Sequence, residues 1–524
     1  MSVLIFLIVY YLLLSVSLYF LFPKCGHKAV HGLIPGLNFA VWAEIVGRKR
    51  LHALWLLVPI VNFFIFFGLI IDMARSFGRL SLSHATLAVI SGPLYFFYLA
   101  FTKTEIYEGP TLTKEREYRA RIEQAKKDGK DYQVKKLENK NPYKKSVGRE
   151  WIEAAVFSIF VAAFIRMFMI EAYTIPTSSM EGSLLVGDYL FVSKMHYGVR
   201  TPMTVIQVPL LHNRIPFFNT ESYLKKPQLP YFRFGKFEEV DHGDLVVFNW
   251  PAGDSIYLLP HRSYSVNQIE MGSENLKREF RNMEVIHRPV DKTDFYIKRC
   301  VGLPGTTFEL REGRVYVDGQ PVEEPEKLQY VHRVESNVQI SPSTLDRLDI
   351  NLMDGNVSEN IYYINDQQVE ALRSLDPSIR VERLSPGVQG PRHLFPHDPE
   401  NFPDFDWDNY GPIPIPAAGQ TVAIDHSNIS LYRRIINVYE DNDLEVRENQ
   451  IFINGEPVSE YTFQQNYYWM VGDNRHNSED SRVWGYVPED HIVGKPLFIF
   501  FSTKNANMSD GIRWNRIFKS ASGL

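Results

Sequence analysis

Residues 3–22 of this 524-residue chain, VLIFLIVYYLLLSVSLYFLF, contain no charged side chain. A helix rises about 1.5 Å per residue, so such a run matches the roughly 30 Å of a bilayer's hydrocarbon core, where a helix satisfies its own backbone. No Lys or Arg precedes it and its apolar core is too long for a cleavable signal, so it reads as a span. Residues 54–71 (LWLLVPIVNFFIFFGLII), 80–101 (LSLSHATLAVISGPLYFFYLAF) and 151–172 are further candidates, the last with Glu153 near its start and Arg166 placed to snorkel toward an interface. Four spans are therefore expected. The loop after the first holds Lys24, Lys28, Arg48, Lys49 and Arg50 against Glu44, and the connector 103–150 is rich in Lys and Arg. Both should stay cytoplasmic, which places everything after about residue 173 outside; Arg75 and Arg79 then fall on the wrong side. The connector's KEREYRARIEQAKKDGKDYQVKKLE is polar nearly all round and reads as a solvated helix or tether, with its cations near anionic lipid.

Beyond residue 173 the pattern changes to short runs rich in β-branched and aromatic residues, broken by Gly, Pro, Asn and Asp: GDYLFVS, GDLVVFNWP, DFYIKRCVGLPG, GRVYVDGQPV, QIFINGEPV, KPLFIFFS. This predicts a mainly β domain. Residues 296–322 and 432–458 align without a gap, and their Asp318-Gly319 and Asn454-Gly455 pairs predict a β-hairpin in each copy. Residues 323–420 are a Pro- and Asp-rich insertion to which the sequence attaches no chemistry. A net charge of −5 argues against a general nucleic-acid binder. Cys25 and Cys300 lie too far apart in character and position to suggest a disulfide, and no CxxC or HExxH pattern offers a metal site, so neither metal nor cofactor is expected.

Where the last apolar run ends, the chain reads IPTSSMEGSLLVGDYLFVSK, residues 175–194. Hydroxyl clusters in such places are ordinarily caps or loops. A serine at its free pKa needs a base to become a nucleophile, and no G-x-S-x-G elbow is present. A lysine serves as base if burial keeps it substantially neutral, at about 1.4 kcal/mol of stability per unit of pKa. Lys298 sits inside FYIKRCVGL, where a hydrophobe would be ordinary; its counterpart in the second copy is an arginine, which cannot deprotonate. A third stretch, MVGDNRHNSEDSRVWGYVPEDHIVGKP at 470–496, gathers Asp473, Asn474, Arg475, Ser478, Asp480 and Arg482.

At this point the chain resembles the bacterial type I signal peptidases, membrane-bound Ser/Lys endopeptidases, through four ordered blocks: IPTSSMEGSL, GDYLFVSK, DFYIKRCVGLPG and GDNRHNSEDSRVWGYVP. Its extra N-terminal spans and long insertions are similar to those of the Bacteroidetes-group forms. The resemblance implies Ser179 as nucleophile, Lys298 as general base and Ser478 as the hydroxyl that orients the lysine. It implies an oxyanion hole from the Ser179 N–H and the Thr177 hydroxyl, an Asp480–Arg482 ion pair bracing the catalytic loop, and support from Asp473 and Arg475. Ile175, Pro176, Met180, Leu184, Tyr296 and Ile297 match positions lining the substrate pockets. Gly182 stands where many members have proline, and His476 raises a rival base.

The implied domains are a multi-span region 1–102, a cytoplasmic connector 103–150, a last span 151–172, catalytic segments 173–322 and 466–524, and an insertion 323–465 that includes the repeated hairpin. The implied setting is the bacterial inner membrane with the catalytic domain periplasmic. Preprotein signal peptides with small residues at P1 and P3 are the implied substrates, with membrane lipid and the secretion translocon as partners and no nucleic acid. A signal-peptidase-like binding module with a dead site and a self-cleaving Ser/Lys regulator are the alternatives. The intact pair argues against the first and the spans against the second.

Overall fold

The computed structural model describes residues 2–523 apart from 59–60, 216–217, 219, 260–262, 353, 387–391 and 448–449. The chain divides into two units, Met1–Ser158 and Ile159–Leu524.

In the first unit, helical structure runs through Ile5–Cys25, and the helix Val147–Phe168 leads out of the unit; among the described residues these two are long and apolar enough to cross a membrane. Among the described residues, neither of the other two expected spans is a straight spanning helix. Residues 54–71 include 59–60, which lie outside the described residues; the described helix there runs from Val61 to Ser76. Its 16 described residues reach about 24 Å. It also carries buried Asp72, whose carboxylate sits 2.7 Å from Arg48, which marks it as packed against protein. Residues 80–101 form two helices, Leu82–Ser91 and Pro93–Phe101, bent by 115°. Gly92 takes φ +47 at the break, and Pro93 lacks the N–H needed to continue the first helix.

The connector forms two helices, Thr111–Lys127 and Asp131–Asn139. It is tied to both earlier loops: Arg75 pairs with Glu115 at 2.6 Å, the Glu108 amide donates to the Ser76 carbonyl at 2.9 Å, and Arg116 donates to the Gly47 carbonyl at 2.9 Å. Arg79 pairs with buried Glu105.

The second unit is strand-dominated, as its short runs rich in β-branched and aromatic residues predict. Among its strands, in chain order, are β1 (Ile170–Thr174), β2 (Asp188–Ser193), β3 (Leu245–Asn249), β4 (Phe295–Gly302), β5 (Thr307–Arg311), β6 (Arg314–Val317) and β7 (Gln320–Pro321). Then come β8 (Tyr330–Glu335), β9 (Ile361–Ile364), β10 (Arg380–Arg383), β11 (Tyr410–Pro414), β12 (Leu444–Arg447), β13 (Gln450–Ile453), β14 (Glu456–Val458), β15 (Tyr467–Val471), β16 (Val487–Pro488) and β17 (Ile492–Ser502). A seven-stranded antiparallel sheet in the order β1-β2-β17-β3-β4-β15-β16 carries the chemistry. Within it β4 is interior, with Lys298 opposite Val246 of β3 and Cys300 opposite Met470 of β15. Beneath the sheet's first strands Ile175, Met180, Leu184, Leu190, Val247 and Ile499 form one apolar cluster.

The repeat is visible as paired meanders, β5-β6-β7 and β12-β13-β14. Asp318 and Gly319 have φ +50 and +76, and Asn454 and Gly455 have +54 and +84, the doubly positive geometry of a type I′ turn. Residues 448–449 of the second copy lie outside the described residues. The likeness ends upstream of the hairpins: the first copy begins with strand β4, whereas the second begins with the helix Ile429–Arg434. Residues 330–383 make a separate module, a sheet in the order β9-β8-β10 with the helix Asp366–Arg373, packed on Val334, Leu345, Ile364 and Leu372.

Candidate active site

The turn after β1 holds the hydroxyls. Ser178–Met180 form a single 3-10 turn, entered by Thr177 in extended backbone (φ −130°, ψ 156°). Met180 is fully buried in the apolar cluster, and the Leu184 amide donates to its carbonyl at 2.8 Å, so the turn is anchored from below. Ser179 is left half-buried above it. Lys298 reaches across from β4, and its Nζ lies 2.6 Å from Ser179 Oγ and donates to the Ile297 carbonyl at 3.0 Å. Only 2% of Lys298 is exposed. Burial pushes its pKa down to about 8, while the negative charges of Asp480, Asp473 and Glu479 pull the other way. A largely desolvated amine beside a serine hydroxyl is what base activation of a nucleophile requires.

The loop between β15 and β16 supplies the frame. Asp480 and Arg482 are fully buried and meet through two contacts, Nε to Oδ1 at 2.9 Å and Nη2 to Oδ2 at 2.7 Å. Burial raises the Asp480 pKa, but Arg482 and the Gly472 amide outweigh it and hold the carboxyl below its usual range. Arg482 also donates to the Arg475 carbonyl at 2.8 Å, which closes the loop on itself. Asp473 and Arg475 do not pair with each other. Asp473 takes two hydrogen bonds from Arg299, the residue after Lys298, at 2.9 and 2.7 Å, and one from Ser183 at 2.6 Å. Arg475 turns outward to Glu324 at 2.6 Å and to the Gly313 carbonyl. Ser478 is buried beside Ser179 but its Oγ is not bonded to the lysine, whose hydrogen-bond partners among the described residues are Ser179 and Ile297.

An open cleft of about 1430 Å³ runs past Ser179, lined there by Ile175, Pro176, Thr177, Met180, Tyr296 and Ile297. Leu184, grouped with these by the resemblance, is elsewhere: it is fully buried with Ile175 and Leu190 beneath the turn, because the chain curls inward there. His476 is bound away from the serine. Its Nε2 lies 2.9 Å from Asp408, its Nδ1 accepts from the Val331 amide at 3.3 Å, and burial lowers its pKa against the opposing pull of Asp408.

Several contributors have no role assigned from sequence, although Asn474 is noted in its block. The Asn474 amide donates to the Ser179 carbonyl and its side chain to the Ser178 carbonyl, both at 3.2 Å. Asn477 Nδ2 donates to Ser178 Oγ at 3.0 Å. Gly472 lets the loop approach: a Cβ there would stand 2.2 Å from Ser478 Oγ and 2.5 Å from the Ser179 carbonyl. The signal for these lay in the same GDNRHNSEDSR block as the charged residues, but which of its amides would reach the turn depends on how two distant segments meet.

A family model described as "Signal peptidase, peptidase S26" matches residues 148–376 and 415–501. A second, described only as a family of unknown function, matches residues 30–110. Signal peptidase I of Buchnera aphidicola subsp. Acyrthosiphon pisum is 24% identical over 394 residues, covering 73% of this chain and 84% of that protein. Signal peptidase I of Haemophilus influenzae is 24% identical over 379 residues, covering 70% and 74%, and that of Pseudomonas aeruginosa 23% over 390 residues, covering 72% and 80%.

Proposed function

The chain belongs to the signal peptidase family, peptidase S26, and on that premise we propose that it is a serine endopeptidase that removes signal peptides from preproteins by a Ser179–Lys298 dyad. The observation that carries the dyad is the 2.6 Å approach of Lys298 Nζ to Ser179 Oγ, with the lysine buried and its pKa brought down to about 8. Neutral Lys298 takes the hydroxyl proton as Ser179 Oγ attacks the scissile carbonyl. The lysine then returns that proton to the departing amine, leaving an acyl-enzyme that water, deprotonated by the same lysine, hydrolyses. The Ser179 N–H and the Thr177 hydroxyl receive the developing oxyanion. An extended preprotein segment lies along the cleft, with small side chains at P1 and P3 against Ile175, Pro176, Tyr296 and Ile297.

The setting we propose is the inner membrane with the catalytic unit periplasmic. Two spans, Ile5–Cys25 and Val147–Phe168, leave everything between them on one side. The contacts of the connector with Gly47, Arg75 and Ser76 support this reading, and they bring Arg75 to the same side as the other basic segments. Lipid then covers Val147–Phe168 and the exposed face of Ile5–Cys25, and the translocon delivers substrate on the far side.

The test is cleavage of a preprotein by the purified full-length enzyme. Ser179→Ala, Lys298→Ala and Lys298→Arg should each abolish processing while the protein remains in the membrane, since arginine keeps the charge and removes the base. Robust cleavage by Lys298→Arg would overturn the dyad.

A further inference from the structure

The turn that carries Ser179 is gripped from two sides. The loop 472–480 holds one side through Asn474 and Asn477. The other side faces the module that begins near Lys327, and three contacts join them. Gly182, at φ +101, lets the Lys327 carbonyl come so close that a Cβ on residue 182 would lie 2.1 Å from it. Both the approach and the positive φ, which proline cannot adopt, call for glycine here. Asn351 Nδ2 donates to both carboxylate oxygens of Glu181, at 2.9 and 3.0 Å, and to Asp354 at 3.1 Å. The Gln329 amide donates to the Asp473 carbonyl at 3.0 Å, and its own carbonyl accepts from the Arg475 amide at 2.9 Å, so the module is stitched to the catalytic loop as well.

Glu181 is the residue after Met180 and only 6% exposed. Its amide closes the catalytic turn by donating to the Ser178 carbonyl at 2.9 Å. Any rotation of residue 181 therefore moves Ser179 relative to Lys298 Nζ. We propose that Glu181 and Asn351 are positioning residues, a latch through which the module of residues 327–383 fixes the Ser178–Met180 turn against Lys298. The latch rests on the reading of Ser179 as nucleophile. Neither residue reaches the reacting atoms; both act through the turn, where displacement by about 1 Å lowers a rate by about a hundredfold. Burial pushes the Glu181 carboxyl up to about 7; Asp354 adds to this, while the Asn351 amide and Arg513 oppose it.

The experiment uses full-length enzyme in detergent and a fluorogenic peptide spanning a signal-peptide cleavage site with alanine at P1 and P3, with rates normalised to the folded fraction. Glu181→Ala and Asn351→Ala should each lower kcat about tenfold with KM changed less than about twofold, and the double variant should be no worse than about either single. Glu181→Gln, which still accepts from Asn351, should keep more than about half of kcat. Asn351→Asp, which sets a second carboxylate against Glu181, should lose activity relative to wild type at the same pH, increasingly so above about pH 7. Losses that multiply in the double variant, an effect confined to KM, a Glu181→Gln as damaged as Glu181→Ala, or an Asn351→Asp rate that keeps a constant ratio to wild type across pH would each overturn the latch. Ser179→Ala run in parallel separates the two readings. If it still cleaves, the nucleophile assignment falls; if it is dead while Asn351→Ala keeps full kcat, the latch alone falls.

Discussion

A lysine with 2% of its surface exposed is expensive to keep, and two measurements read that expense directly. The first is activity. As the proposed base, Lys298 must be neutral to act, so with its pKa at about 8 the rate should climb through that pH, and at pH 6 it should be about a hundredth of its plateau. The same limb should persist in His476→Ala, because His476 is bound to Asp408 and the Val331 amide; a limb that vanishes in that variant would transfer the base role to His476. The second is stability. The folded pKa of about 8 lies below the ordinary 10.5, so the unfolded chain binds the proton more tightly. The resulting destabilisation is complete below pH 8, shrinks as pH rises toward 10.5, and is gone above it. Lys298→Met should therefore be inactive yet more stable than wild type by about 3 kcal/mol at pH 6, with the gain fading in alkaline buffer. Thermal unfolding across pH checks it, and a Lys298→Met enzyme no more stable than wild type at pH 6 would contradict the buried-cation account.

At the scale of the element, the loop between β15 and β16 is a rigid clamp rather than a flexible lid. Its buried Asp480–Arg482 pair, the Arg482 bond to the Arg475 carbonyl and the two asparagines leave few degrees of freedom around Ser478. The clamp closes on the catalytic turn at Gly472, where the space for a side chain is already taken by Ser478 Oγ and the Ser179 carbonyl. Gly472→Ala should thus push both serines away from Lys298 and lower kcat about a hundredfold, while the sheet still folds. Preprotein cleavage beside a circular-dichroism melt measures both, and a Gly472→Ala enzyme of normal kcat would show the clamp to be looser than its contacts.

For the whole molecule, the count of spans decides on which side each segment lies. Four spans and two spans both put the connector inside and residue 200 outside, so a reporter active only outside the cytoplasm should work after residue 200 and fail near residue 130 in either case. They differ at the turn holding Arg75 and Arg79. Two spans keep it cytoplasmic, next to Glu115 and Glu105, so a fusion near residue 78 should also be silent. An active fusion there would restore the four-span count.

The sequence alone carried the ordered motifs, the switch from apolar helices to strands near residue 173 and both type I′ turns, because each rests on residue types at short spacing. It therefore singled out Ser179 and Lys298 without coordinates. It did not carry the partners of the charges. Asp473 meets Arg299 across 174 residues, and Asn351 meets Glu181 across 170, and no local pattern encodes such pairings. Nor did hydropathy foresee that residues 80–101 bend by 115° or that Asp72 is packed against Arg48, since it counts apolar side chains and not what they pack against. Most of all, the basicity of Lys298 belongs to the tertiary structure. Its residue type permits a pKa anywhere from free to deeply depressed, and only the assembled sheet and clamp, by excluding water while holding the charges of Asp480 and Asp473 nearby, bring it to about 8.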